Sequence, residues 1–286
     1  MNRKRPFLWG MLTATLVGVV ALAGPVAAEK SDTEGGSDKE KTDFAPGREV
    51  KVTDPKSGKL GYYLVYVPKN YSPDRTWPVI FNYHGLNGKP STWPFKRILS
   101  GSHYIIVGMG YYMRGKPGYR YADTKDVEIL KRVGAHLAKH LKINKKQLFA
   151  GGFSKGGCYV HEMMIAAPRF WTGGIMLGGG SGGNRAKNSK DTAAISRKLI
   201  FIGCGGKDVH LKYADTAREY YTSLKASVTY EKWLGVGHTI DWKATKLSGW
   251  LMADGCGSVE GCCGEVGGSG QVGSRRRSRQ SVQDLP

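Results

Sequence analysis

Apolar residues along this chain recur with two periods in turn. Short runs rich in β-branched and aromatic side chains predict strands at 50–53, 60–67, 78–83, 104–109, 147–151, 170–177, 198–202 and 227–233. The first two are joined by the turn signal Asp54-Pro55-Lys56-Ser57-Gly58. Between the later runs the period changes to that of a helix. In 126–141, Val127, Leu130, Val133, Leu137 and Leu141 fall on one face, and 155–167 reads as a helix ended by Pro168. Helices are also expected at 211–224 and 240–251. Strands that alternate with helices predict an α/β fold with a mostly parallel central sheet and helices on both faces. The opening pair of strands is expected to lie antiparallel at one edge.

The pattern breaks down at both ends of the chain. Arg3, Lys4 and Arg5 precede an apolar, uncharged run over 7–23, and Val26-Ala27-Ala28 follows as a small-residue cleavage site. This is the layout of a secretory signal peptide at 1–28, cut after Ala28, and it predicts a secreted or periplasmic protein. An uncleaved N-terminal anchor is the alternative, since the run approaches the length of a membrane span. No later segment is apolar enough to cross a membrane. Residues 29–48 read as a flexible polar linker, and 254–286 as a Gly-, Ser- and Arg-rich tail that cannot bury enough surface to offset its ordering entropy. The catalytic domain is therefore expected at 49–253.

Composition narrows the partners only slightly. The 43 Lys and Arg against 23 Asp and Glu leave a formal charge of +20, which suits anionic polymers or an envelope surface. The basic residues are scattered and no nucleic-acid reading motif accompanies them, so nucleic acid is not an expected partner. Cys158 and Cys204 fall in the expected core, and Cys256, Cys262 and Cys263 in the tail. None has metal-site spacing, and their pairing is left open.

The densest chemical signal is Leu148-Phe149-Ala150-Gly151-Gly152-Phe153-Ser154-Lys155-Gly156-Gly157, a strand that ends in Gly-x-Ser-x-Gly and leads into a helix. A nucleophilic serine on such a turn needs small residues two positions to either side, and Gly152 and Gly156 supply them. Its hydroxyl needs an adjacent histidine base, which in turn needs a carboxylate to orient it. In this setting the partners follow in the order serine, acid, histidine, each in a loop beyond a later strand. Asp208, in Gly203-Cys204-Gly205-Gly206-Lys207-Asp208, is the candidate acid; Asp191, Asp215 and Asp241 compete less well. His238, between the last strand and the last helix, is the candidate base. His136, His140 and His161 lie within expected helices, His103 comes before the serine, and His210 lies close to Asp208 as a distractor. Two backbone N–H groups must hold the oxyanion. The candidates are Lys155, directly after the serine, and Leu86 in the His84-Gly85-Leu86-Asn87-Gly88 loop, with Gly85 next and His84 structural.

These residues, with the Tyr66-Val67-Pro68 segment, resemble the α/β-hydrolase superfamily, and more narrowly the secreted esterases grouped with polyhydroxybutyrate depolymerases and feruloyl esterases. The likeness spans about 60–251. It implies hydrolysis of carboxylic esters through an acyl-enzyme, with no metal or organic cofactor. Lys155 departs from the small or apolar residue usual after the nucleophile. The connection 178–197 is too short for a helical cap, so no large lid domain is expected, and the open site would admit a bulky or polymeric ester. Trp93, Tyr111, Tyr112 and Trp171 are candidate aromatics for the cleft. Two further readings use the same residues: a serine peptidase of prolyl-oligopeptidase type, and a non-catalytic envelope-binding module on a hydrolase fold.

Overall fold

A computed structural model of the chain describes residues 44–111, 122, 124–182 and 191–253. The expected signal peptide, most of the expected linker, Tyr112, part of the 178–197 connection, and the tail with its three cysteines lie outside those residues.

Eight strands form one sheet: β1 (Glu49–Thr53), β2 (Tyr62–Tyr66), β3 (Trp77–Tyr83), β4 (Ile105–Met109), β5 (Ile143–Phe153), β6 (Gly173–Leu177), β7 (Leu199–Gly205) and β8 (Ser227–Trp233). Their order is β1-β2-β4-β3-β5-β6-β7-β8. β1 and β2 pair antiparallel at one edge, β2 runs antiparallel to β4, and every pair from β4 to β8 is parallel. The central strand β3 is buried along its whole length, as expected where both faces are covered.

Alternation along each strand divides the apolar residues between two cores. Phe81, Val107, Met176 and Ile202 point to one face, where they meet α2 (Thr124–His140), α3 (Lys155–Ala166) and α4 (Leu211–Ser223). Ile80, Ile106, Ile175 and Phe201 point to the other, against α1 (Phe95–Ile98) and α5 (Leu247–Ala253). The α2 stripe of Leu130, Val133 and Leu137 is buried as its spacing predicts. Cys158 and Cys204 are free, buried thiols.

Several boundaries differ from the sequence reading. Phe44 packs on the core and the Gly47 amide bonds the Val67 carbonyl, so ordered structure begins ahead of Glu49. The expected helix at 240–251 forms only from Leu247. Upstream, the Asp241 carboxylate accepts the Lys243 and Ala244 amides and closes a local turn. β6 starts at Gly173, because Phe170 closes a turn onto the Ala167 carbonyl. Trp171 is buried against Phe81 and Phe170, with its indole N–H on the Met163 carbonyl, so it is a core residue and not a wall of a cleft.

The turn between β5 and α3 is fixed by close backbone packing. A Cβ on Gly156 would stand 1.9 Å from the Tyr83 carbonyl oxygen, and one on Gly152 would stand 2.5 Å from the Gly156 carbonyl carbon. Both obstacles are backbone atoms of central elements that cannot swing aside. Gly156→Ala is therefore expected to destabilise the fold by more than the roughly 1–3 kcal/mol usual for an overpacked core. Urea unfolding checks this; a midpoint equal to wild type would show that the turn is looser than described.

Candidate active site

Ser154 sits where β5 hands over to α3, with φ 60° and ψ −124°. L-residues avoid this backbone region, and strain of about 1–3 kcal/mol persists there only when the surroundings impose it. The Ser154 amide is tied to the Leu177 carbonyl at 2.8 Å, and the Ser154 carbonyl accepts the Cys158 amide at 3.1 Å. The side chain makes no cap to its own helix, so Oγ projects from the turn.

The loops after β7 and β8 are joined to each other. The Gly206 amide donates to the Trp233 carbonyl at 2.7 Å, and the Lys207 amide to the Val236 carbonyl at 2.8 Å. Gly205 permits this approach, since a Cβ there would stand 2.1 Å from the Gly237 carbonyl oxygen. The joined loops bring Asp208 and His238 together. His238 Nδ1 lies 2.8 Å from Asp208 Oδ2, and His238 Nε2 lies 2.8 Å from Ser154 Oγ. The Asp208 side chain is fully buried, whereas the His238 ring is about one third exposed at 35 %. Asp208 is further held by the His210 amide, which donates to Oδ1 at 2.8 Å. Gly178, at φ 54°, passes beneath the pair; a Cβ there would stand 3.4 Å from both Asp208 Oδ2 and His238 Cε1.

The loop after β3 closes the other side. A Cβ on Gly85 would lie 3.8 Å from the Ser154 Cβ, which sets this loop directly beside the serine. The Leu86 side chain is exposed on the loop, and Lys155 opens α3. His84 faces its own loop, with Nδ1 donating to the Gly85 carbonyl at 2.8 Å and the ring stacked on Tyr111. Burial holds its pKa below the ordinary value, so the ring stays neutral. Tyr111 is buried, and its hydroxyl donates to the His84 carbonyl at 3.0 Å, which makes it a brace for the loop.

Of the pocket wall, Trp93 is expected from the sequence, whereas Asn82 and Phe153 are not. Asn82, buried at the end of β3, donates to the Ser91 and Trp93 carbonyls at 2.6 and 2.7 Å. This holds Trp93 edge-on to Phe153 at 5.4 Å, while Phe153 in turn lies against the His238 ring at 5.0 Å. Trp93, Phe153, Tyr83 and His84 line a cavity of about 220 Å³ beside the serine. Of the four aromatics expected in the cleft, Trp93 alone of those described is exposed there. An Asn at a strand end before a His-Gly loop was the available signal, but its partners are backbone atoms and leave no mark in the pattern.

Lys155 is half-buried, and burial lowers its pKa. Two turns along α3, burial pushes the Glu162 carboxyl up to about 7, against the opposing pull of the Lys155 ammonium. Folded Glu162 therefore keeps a proton that the unfolded chain has released. Stability from this group is full below pH 4.5 and is lost as pH rises to about 7. Relative to Glu162→Gln, the wild-type melting temperature is expected to fall across that window. Parallel curves for the two proteins would remove Glu162 as the cause.

A mostly parallel sheet with helices on both faces, carrying its serine on the tight turn after the fifth strand, is the α/β-hydrolase fold. Among the described residues no lid domain stands over the site. Solved structures that share the fold include the following three. FAE superposes with a TM-score of 0.52 at 18% identity, over 68% of this chain and 84% of that one. The BES protein of Bacillus cereus gives 0.50 at 15% identity over 71% and 92%, and a thermostable esterase 0.50 at 15% over 65% and 54%. In sequence, 107 residues (35% of the chain) are 26% identical to the bifunctional acetylxylan esterase/xylanase XynS20E of Neocallimastix patriciarum, and they span 15% of that protein's length. No family model matches the chain.

Proposed function

We propose that the chain is a serine hydrolase that cleaves carboxylic esters through an acyl-serine intermediate. The observation that carries this reading is the unbroken hydrogen-bonded line from Ser154 Oγ through His238 to the buried Asp208, with both links at 2.8 Å. His238 Nε2 takes the Ser154 proton as Oγ attacks the ester carbonyl, then returns it to the departing alcohol. Asp208 holds the proton on Nδ1 and stabilises the imidazolium. The amides of Leu86 and Lys155 hold the oxyanion, and water releases the acyl group by the same steps. The 26% identity over 107 residues to an acetylxylan esterase/xylanase supports the choice of ester over other acyl compounds.

Trp93 and Phe153 form an apolar wall suited to an aromatic or alkyl group, which favours a polyester or a feruloyl-type ester as substrate. The expected signal peptide would place the activity outside the cytoplasm. Turnover of acetyl, butyryl and feruloyl aryl esters, a polyester film and an aminoacyl anilide tests the assignment. Higher kcat/KM on the esters is the expected result; preference for the anilide would move the reading to a peptidase. Trp93→Ala is expected to reduce kcat/KM for the feruloyl ester relative to the acetyl ester by roughly five- to tenfold, the worth of one aromatic contact. An unchanged ratio would take Trp93 out of the acyl site.

A further inference from the structure

Next to the line of serine, histidine and aspartate stands a side chain that hydrolysis does not use. His210 caps the start of α4, two residues after Asp208. Its ring turns back toward the site. His210 Nδ1 lies 3.4 Å from Asp208 Oδ1 and 3.4 Å from His238 Nδ1, and His238 Nδ1 lies 2.8 Å from Asp208 Oδ2. One donor atom from each of these three residues falls within 4.8 Å of the other two. The two rings are tilted by 56°, so they do not stack as an ordinary aromatic pair.

Two imidazole nitrogens this close cannot both point a proton at each other. A neutral imidazole carries a proton on one nitrogen and keeps a lone pair on the other, which it can offer to an ion. A tetrahedral ion bound at about 2.0–2.1 Å to each donor sets its ligands roughly 3.3 Å apart. With Asp208 Oδ1 as the carboxylate donor, His210 Nδ1 stands 3.4 Å from both Oδ1 and His238 Nδ1, close to that spacing, while His238 Nδ1 lies nearer the other carboxylate oxygen, at 2.8 Å from Oδ2. Two histidines and one carboxylate with an open fourth position form a donor set that suits Zn²⁺. Asp208 forms the buried base, while the rings of His210 and His238 are 27% and 35% exposed and leave a route from solvent.

We propose that Asp208, His210 and His238 form a site for a divalent transition-metal ion, Zn²⁺ foremost, whose occupation switches the hydrolase off. The ion takes His238 Nδ1 and draws the Asp208 carboxylate to itself. The single proton of the neutral His238 ring then resides on Nε2, the nitrogen that faces Ser154 Oγ. An Nε2–H group donates to the hydroxyl and cannot accept its proton, so Ser154 is not activated. This consequence rests on the hydrolytic reading; the binding site itself does not.

Calorimetric titration of the full chain with ZnCl₂ tests the site, with Ser154→Ala, His210→Ala and His210→Gln alongside wild type. Wild type and Ser154→Ala are expected to share one Zn²⁺-binding step of equal affinity. Both His210 variants should weaken it at least about 100-fold, since loss of even an outer-sphere partner costs 10–100-fold. Aryl-ester turnover, scored for each protein against its own metal-free rate, should be Zn²⁺-sensitive and restored by EDTA in wild type, and insensitive in the His210 variants. Equal Zn²⁺ affinity in wild type and the folded His210 variants overturns the proposal, because the ion would then be held elsewhere. A chain with no esterase turnover that still binds Zn²⁺ through His210 upholds the site and rejects the hydrolytic reading.

Discussion

Ser154→Ala is expected to lose aryl-ester turnover by a factor on the order of 10⁴ or more, with the fold intact. The Ser154 hydroxyl makes no cap within α3, and its hydrogen-bond partner is His238 Nε2. Alanine therefore removes the attacking oxygen without opening the turn, and it keeps the same strained backbone, so the melting temperature should stay at the wild-type value. Ser154→Gly separates strain from chemistry. Glycine adopts positive φ without penalty, at a cost in unfolded-chain entropy of roughly 0.5–1 kcal/mol. It should be as inactive as the alanine variant and at least as stable. A Ser154→Ala protein that turns over esters at the wild-type rate would remove Ser154 from the mechanism.

Asp208→Asn is expected to lower kcat by about 10⁴-fold, because exchange of the orienting carboxylate for an amide sets the wrong histidine tautomer. The surroundings of Asp208 make that outcome directional. Its Oδ1 accepts the His210 amide at 2.8 Å, and its Oδ2 faces His238 Nδ1 at 2.8 Å. An asparagine must keep its oxygen toward the His210 amide, which leaves its NH₂ group toward His238. Nδ1 then becomes an acceptor, and the ring proton moves to Nε2, where it blocks proton transfer from Ser154. Single-turnover kinetics with an aryl ester check this. A loss below tenfold would mean that the acid is another residue.

Much of this arrangement was legible in the sequence, and the reasons differ from part to part. Gly152 and Gly156 flank Ser154 because the Tyr83 carbonyl and the α3 backbone occupy the space a Cβ would need, a constraint that leaves a plain trace in residue type. Asp208 and His238 were reached from chain order alone, yet they lie 54 and 84 residues beyond Ser154 and meet its hydroxyl line in the folded chain. That works because each parallel strand ends at the same edge of the sheet, so the loops after β5, β7 and β8 must be neighbours. The two cores likewise follow from period-2 alternation in β3, β4, β6 and β7.

Other features left no such trace. Helical spacing over 240–251 could not reveal that Asp241 would close a local turn ahead of α5, since the competing hydrogen bonds are to backbone amides. Trp171 and Trp93 are alike as residues in loops, but one fills the core below β3 while the other forms the pocket wall, and only the packing of Asn82 against the Trp93 carbonyl decides it. His210 reads as a distractor from its proximity to Asp208. Its ring direction, which sets Nδ1 against both Asp208 and His238, belongs to the tertiary structure.

Fluorophosphonate labelling with intact mass and peptide mapping is the most direct test of the central claim. The reagent reacts with a serine only when a base has activated it and oxyanion donors are in place. One adduct per chain, carried on Ser154, and none in Ser154→Ala, is the expected result. A folded wild-type chain that takes no label, or a label that maps to another residue, would contradict it.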